Sequence, residues 1–451
     1  AQYNAYLNAY IAAKHSLAHL SGTRHTELGA VLANVQAIAG SGLFIPTRLP
    51  ALFLTLERNR HWWTTEPLLS SGERVSFPPS KLVWEYYPGQ GIEIQWLGTF
   101  GEGNGYYLSG HENANLRQLV KEIIPLATSR AGGIAWEYLF HFDGGSPPWT
   151  SGLSQGTALQ VLTRAGQRFR EPAYLTAAKE ALGIFKTAPP QGVRVKTKAG
   201  AMYAEYTYAP SDHILNGFIQ AVVGLYDYTS ITKDTAGLSL FEAGDAEARA
   251  EVPHYDTGAW SLYDQYGESN LNYHELLTEF LQHLCERTRK GPPLSSEAPP
   301  PATVPAPAPP SPTGGTGTGS SGSTGTTGTP VANASATAST QIQGDEIYCT
   351  TAESFKEDLA TPPAVSILST HFNAGSRAGV ALSLSKISTV HMIVRKGSRT
   401  VWSNGATLAR GRPRLLWITP KGGGTYTITI TATDLAGNFA TSNATVQVSR
   451  H

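Results

Sequence analysis

Cysteine is nearly missing from this chain: 451 residues contain two, Cys285 and Cys349. So few exclude a disulfide framework and a cysteine-built metal centre. The two lie on either side of a long Pro- and Gly-rich stretch. A bridge between them stays an open alternative, because spacing alone does not show that the sulfurs meet. No run of about 18 apolar residues occurs, so no segment is expected to span a bilayer. Excess charge is missing too, with 34 basic and 34 acidic residues. That balance removes the general electrostatic ground for binding nucleic acid or an anionic membrane, although it allows a local basic groove. There is no Gly-rich phosphate loop ending in Lys-Ser/Thr, no HExxH, no G-x-S-x-G and no CxxC. The 13 histidines are scattered, so no metal site is indicated. The chain opens Ala1-Gln2-Tyr3 without Met, as a processed chain would; secretion with a signal peptide removed is the matching expectation.

What is present divides the chain in two. Residues 292–311, PPLSSEAPPPATVPAPAPPS, read as a stiff extended spacer, and 312–330, PTGGTGTGSSGSTGTTGTP, as a flexible one. Three regions follow: 1–290, a linker at 291–341, and 342–451. Helical spacing dominates the first, over Tyr3–Leu20, Ala30–Ile38, Leu116–Ala127, Leu153–Phe169, Tyr174–Phe185, Ile214–Tyr228 and Leu271–Leu284. Many helices of similar length suggest a mainly α (α/α) toroid with a cleft at one mouth, an irregular bundle being the alternative. Within 191–208, Val193 and Val195 alternate with basic residues, Lys198-Ala199-Gly200 turns, and Met202–Tyr208 returns, which reads as a hairpin. After the linker the period changes to two. Tyr426, Ile428 and Ile430 alternate with threonines, Asp434–Asn438 turns, and Ala444, Val446 and Val448 alternate on the return. That predicts an all-β, immunoglobulin-like sandwich, serving as spacer or as a binder of a cell surface or glycan.

Nine Trp and twenty Tyr suit sugar rings as well as cores. Three stretches could carry chemistry. In 203–228, Glu205 and Tyr206 end a predicted strand before a turn and a helix. Neighbours on an extended strand point to opposite faces, so both reach one cleft only if the backbone bends. In 251–274, Tyr255-Asp256-Thr257-Gly258 precedes Tyr263, Tyr273 and His274; Asp256 as a cap for the next element is the plainer reading. In 147–156, PPWTSGLSQG, Ser151 or Ser154 caps a helix that brings Trp149 and Gln155 near its start. For each, packing and capping compete with function.

Taken in order, PPWTSGLSQGTAL (147–159), AEYTYAPSDHILNGFIQAVVGLYDY (204–228) and YDTGAWSLYD with NYH (255–274) resemble the C-terminal catalytic domain of D-glucuronyl C5-epimerases. About 140 residues carry the resemblance; before them, only WEYYPGQGIEIQWLGTF (84–100) is loosely similar. The family's Pro after Glu-Tyr is Thr207 here, its preceding acid is Ala204, and Ala259-Trp260 depart as well. The resemblance implies conversion of D-glucuronyl to L-iduronyl units in a uronic-acid-containing polysaccharide, without metal or organic cofactor. It implies Glu205, Tyr206, Tyr255 and Tyr273 as proton-transfer groups, and Trp149, Gln155, Asn216, Asp256 and His274 as substrate-binding residues; Arg194 joins the substrate-binding candidates by its proximity in sequence. A phenol with a pKa near 10 is a poor base at neutral pH, so a positive neighbour would have to lower it; His274, Arg194 and Lys196 are candidates by proximity in sequence, although Arg194 and Lys196 read more readily as solvated strand residues. Trp84 and Trp136 stand as subsite candidates against simple packing. A homodimer is left open.

Three rival functions fit the same residues. A polysaccharide lyase would share the C5 proton abstraction. A glycoside hydrolase would need two opposed carboxylates, Glu205 with Glu137, Glu85 or Asp256. A glycan-binding protein would place its activity in 342–451.

Overall fold

The structure is a computed structural model, and it describes residues 2–291, 293 and 346–450. Apart from Gly291 and Pro293, the linker expected at 291–341 lies outside the described residues.

The first region is helical with small sheets between helices. Its order is α1 (Gln2–Ala18), α2 (Gly22–Gly40), α3 (Leu49–Thr65), β1 (Arg74–Val75), β2 (Trp84–Tyr87), β3 (Gly91–Ile94), α4 (Trp96–Ser109) and α5 (Asn113–Ile123). There follow β4 (Thr128–Arg130), β5 (Gly133–Ala135), α6 (Gly152–Phe169), α7 (Pro172–Ala181), α8 (Gly183–Lys186), β6 (Arg194–Lys196) and β7 (Ala201–Tyr203). The region closes with α9 (Leu215–Thr232), α10 (Thr235–Glu251) and α11 (Leu271–Thr288). Strands β1, β2 and β3 form one antiparallel sheet, and β6 pairs with β7 through the turn at Lys198–Gly200.

Helices α6 and α9 form the centre, buried over nearly their whole length. They approach closely because Gly156 and Gly224 meet: a Cβ on Gly224 would overlap the Gly156 carbonyl. Charge is buried beside them. Asp227 on α9 accepts from Arg164 on α6 at 2.9 Å and from Arg287 on α11 at 2.6 Å, and Arg164 also reaches Asn104 on α4 at 2.7 Å. One network thus ties α4, α6, α9 and α11. Burial raises the Asp227 pKa, but the two guanidiniums outweigh it and hold the group at about 2.

Helices α3, α4 and α10 escaped the periodicity reading. α4 carries glycines at 98, 101, 103 and 105, and its helical state rests on packing against α6 rather than on propensity. The expected strand Met202–Tyr208 stops at Tyr203.

Past the linker come α12 (Glu346–Asp358), β8 (Val365–Ile367), β9 (His371–Asn373), β10 (Arg377–Leu384), β11 (Ser388–Lys396), β12 (Arg399–Leu408), β13 (Arg414–Ile418), β14 (Gly424–Asp434) and β15 (Phe439–Ser449). The strands make an all-β unit of two sheets, ordered β12-β11-β14-β15-β9 and β13-β10-β8. Both contribute to one core: Val380, Leu382 and Trp417 meet Met392, Ile428 and Val446. The alternation at Tyr426, Ile428 and Ile430 does bury the apolar side.

One element departs from the expected division at 342. Helix α12 shares the helical core through Tyr348, Ala352 and Phe355, and Cys349 is disulfide-bonded to Cys285 on α11. Its own apolar residues, at positions 348, 352 and 355, face α11 because i, i+4 and i+7 fall on one helical stripe.

Candidate active site

A cleft opens where the first turns of four helices meet. Gln95 and Leu97 come from the start of α4, Ser151 and Leu153 from α6, Ile214 and Asn216 from α9, and Tyr273 and Leu276 from α11. Unpaired N–H groups and aligned dipoles give each helix start a partial positive charge. Tyr87, Tyr138, Phe140, Phe142 and Trp149 form an aromatic wall, with Trp149 stacked on Tyr138 at 4.2 Å between centroids. Glu205, Tyr206 and Tyr263 complete the lining.

Both members of the Glu-Tyr pair face the cleft. The strand ends at Tyr203 and the backbone bends at Glu205, which breaks the alternation of an extended chain. The bend is fixed by backbone bonds: Gly152 N–H donates to the Ala204 carbonyl at 2.9 Å, and Thr207 N–H to the Thr150 carbonyl at 3.1 Å. Proline could not make the second bond, so Thr207 here ties the two loops together where the family has Pro. The Thr207 hydroxyl accepts in turn from Thr150 N–H at 3.1 Å.

Glu205 is 9 % exposed. Its Oε1 accepts from the Ser151 hydroxyl at 3.1 Å, and Ser151 also caps α6 by accepting from Ser154 N–H at 3.3 Å. Its Oε2 has no hydrogen-bond partner in the protein, and neither has the Tyr273 hydroxyl or Asn216 Oδ1. Gly217 makes room for that carboxylate, since a Cβ there would overlap Oε2. Burial, partly offset by the Ser151 bond, raises the Glu205 pKa to about 7. Burial and the nearby Glu205 charge push the phenols of Tyr206, Tyr263 and Tyr273 upward. The Tyr263 and Tyr273 rings lie 4.6 Å apart.

Of the residues predicted from sequence, Glu205, Tyr206, Tyr273, Trp149 and Asn216 come together in the cleft. Five do not line it. Tyr255 is 3 % exposed and donates its hydroxyl to the His213 carbonyl at 2.6 Å, where it braces the loop before α9. Asp256 accepts from Gly258 N–H at 2.7 Å, closing its own turn. Gln155 lies one turn inside α6 and is spent on Trp136, donating to its carbonyl at 3.1 Å and accepting from its N–H at 3.3 Å. Arg194 pairs with Tyr203 across the β6–β7 hairpin, away from the cleft lining. His274 is fully buried behind Tyr273, with its pKa lowered to about 4 by burial. The cation expected to acidify a phenol is thus not supplied by His274 or Arg194, and exposed Lys196 is not among the lining residues either. Trp84 and Trp136 are fully buried core. Glu137 is held between Arg48 at 2.6 Å and Arg130 at 2.7 Å, a buried structural ion pair.

The sequence reading missed Tyr87, Tyr138, Phe140, Phe142 and Gln95, and passed over Tyr263 in favour of Tyr255. Tyr263 stood in the same tyrosine-rich stretch. Tyr87 and Gln95 stood in the loosely similar stretch 84–100, Tyr138, Phe140 and Phe142 lie just before the first resembling segment at 147, and only folding brings them to the cleft.

With this geometry in view, the comparisons define the class. Residues 131–296 match the family described as D-glucuronyl C5-epimerase C-terminus. Among individual relatives, the D-glucuronyl C5-epimerase of Caenorhabditis elegans is 34 % identical over 131 residues, covering 26 % of this chain and 21 % of the relative. An uncharacterized protein of Methanocaldococcus jannaschii is 29 % identical over 169 residues, covering 36 % of this chain and 55 % of the relative. The matches span about a fifth of the first relative and just over half of the second.

Proposed function

We propose that the cleft epimerises uronate residues of a polysaccharide at C5, D-glucuronyl to L-iduronyl. The carrying observation is the buried, unpartnered carboxylate oxygen Glu205 Oε2, which faces the same cleft as the Tyr273 hydroxyl. The C5 proton is weakly acidic, and an ionised carboxylate beside it weakens it further, so the developing enolate needs placed donors. Phenols with raised pKa keep their protons and serve as donors, not bases. Glu205, with its pKa raised by burial to about 7, is a stronger base than an ordinary carboxylate. It takes the C5 proton into Oε2, and a phenol among Tyr273, Tyr263 and Tyr206 returns one from the other side of the ring. No Lys or Arg is among the lining residues. The helix starts of α4, α6, α9 and α11, with neutral donors such as Asn216, take the part of a cation toward the uronate carboxylate.

We also read the helical body as an (α/α) toroid, supported by the cleft lying at the shared N-terminal ends of α4, α6, α9 and α11. The β unit is read as immunoglobulin-like, and the whole as secreted, for which the Cys285–Cys349 bridge is the supporting observation.

Incubation with uronate polymers in deuterated water tests the activity. Deuterium at C5 without cleavage is the expected result. Unsaturated, ultraviolet-absorbing ends would replace this reading with a lyase. New reducing ends without unsaturation would favour a hydrolase, for which the lining offers a single carboxylate, Glu205.

A further inference from the structure

Tyr273 and His274 are adjacent in the first turn of α11, and they do different work. Tyr273 reaches the cleft, while His274 is fully buried against elements from beyond the linker. The imidazole stacks on Trp260 at 3.7 Å between centroids, with the ring planes nearly parallel at 8°. Ser261 N–H donates to Nδ1 at 3.1 Å, which leaves the proton on Nε2. Nε2 donates that proton to the Phe355 carbonyl of α12 at 2.8 Å. Ser261 lies two residues before Tyr263, so one imidazole joins both cleft phenols to α12.

Two more links reach the same loop. Glu268, the bridge partner of Leu262 around Tyr263, accepts from the backbone N–H of Ile387 at 3.4 Å and of Arg410 at 3.3 Å, both in the β unit. Lys386, paired with Asp434 at 3.1 Å, donates to the Asp358 carbonyl at the end of α12 at 2.8 Å and lies 5.2 Å from the Trp260 ring centroid. The Cys285–Cys349 bridge holds α12 against α11.

We propose that the chain beyond the linker completes the active cleft: His274 is a positioning residue that ties helix α12 to Tyr263 and Tyr273, and the Cys285–Cys349 bridge is the clamp that keeps the helix in place. This rests on the cleft being catalytic. A dithiol reductant that opens the bridge to two thiols releases α12, and with it the loop 260–276, while Glu205 keeps its own support from Ser151.

The test uses the full chain, oxidised and reduced, with hydrogen exchange followed peptide by peptide and C5 deuteration followed on a uronate polymer. Reduction is expected to speed exchange across 260–276 by about tenfold or more while α9 stays protected. Faster exchange in α12 with 260–276 unchanged overturns the proposal. Should reduction unfold the whole chain, Glu268→Ala decides: faster exchange confined to 262–268 supports it, and no change overturns it. In the kinetic arm, His274→Ala is expected to lower kcat about tenfold with KM nearly unchanged. His274→Asn, which keeps an acceptor near Nδ1, and His274→Gln, which keeps a donor near Nε2, should each recover part of that loss. A His274→Ala variant with a lower Tm and unchanged kcat overturns the proposal. A wild-type chain that never deuterates C5 sinks the activity instead, and the exchange data still judge the coupling.

Discussion

Two acids sit at opposite fates in the same helical core. Asp227, in α9, is met by Arg164 and Arg287 and is held at about pKa 2. Glu205, at the start of that helix and of α6, is met by one serine hydroxyl and is raised to about 7. Both are buried, so desolvation is common to the two, and the difference is compensation. Asp227 is satisfied at every oxygen and serves packing. Glu205 keeps one oxygen unsatisfied at a cleft, a destabilising arrangement that a folded chain retains when the free lone pair has a use.

The largest effect expected is on turnover. Glu205→Gln should lower C5 deuteration by about a thousandfold, the usual worth of a general base, while Tm holds or rises. Asp227→Asn should do the reverse. Breaking its ion pairs costs about 3–5 kcal/mol, read as a Tm lower by roughly 10 °C, with turnover of the folded fraction little changed. If Asp227→Asn abolished turnover without loss of Tm, the contrast between the acids would fail.

Tyr273→Phe should lower deuteration by about a hundredfold, whereas Tyr255→Phe should change it by less than about threefold and cost about 1 kcal/mol of stability. Equal losses from both would restore Tyr255 to the site. Gly217→Ala is expected to displace the Glu205 carboxylate, lowering kcat by about tenfold to a hundredfold with a small change in Tm. The smallest effect is the pH dependence of stability. Glu205 has a folded pKa of about 7, above its ordinary 4.5, so the folded chain binds the extra proton. Its contribution is fully present below about pH 4.5 and is lost as pH rises through 7. Asp227 has a folded pKa of about 2, below its ordinary 3.8, so its contribution is present above about pH 4 and is lost as pH falls through 2. Melting curves between pH 5 and 8 should therefore lose part of their downward slope in Glu205→Gln and keep it in Asp227→Asn.

Much of this was legible in the sequence, for stated physical reasons. Alternation at Tyr426, Ile428 and Ile430 survives because one face of a strand is buried and the other wet. Ser151 caps α6 as its type and place implied. Glycine-rich α4 was not legible, because its helix is held by neighbours rather than by its own residues. Tyr255 and Tyr263 could not be told apart by motif: both are tyrosines before Asp in one loop, and only the path of that loop sends one hydroxyl to the His213 carbonyl and the other to the cleft.

The amino-acid sequence by itself determined the helical and all-β character of the two regions and the Glu-Tyr pair that the cleft is built around, since these depend on local period and on contiguous motif. Tertiary structure alone decided that four helix starts converge on Glu205 and that α12 crosses back to the helical core, joined to α11 by Cys285–Cys349. The physical reason is distance along the chain: burial, compensation of charge and the meeting of residues 60 or more positions apart are properties of packing, and no local pattern carries them.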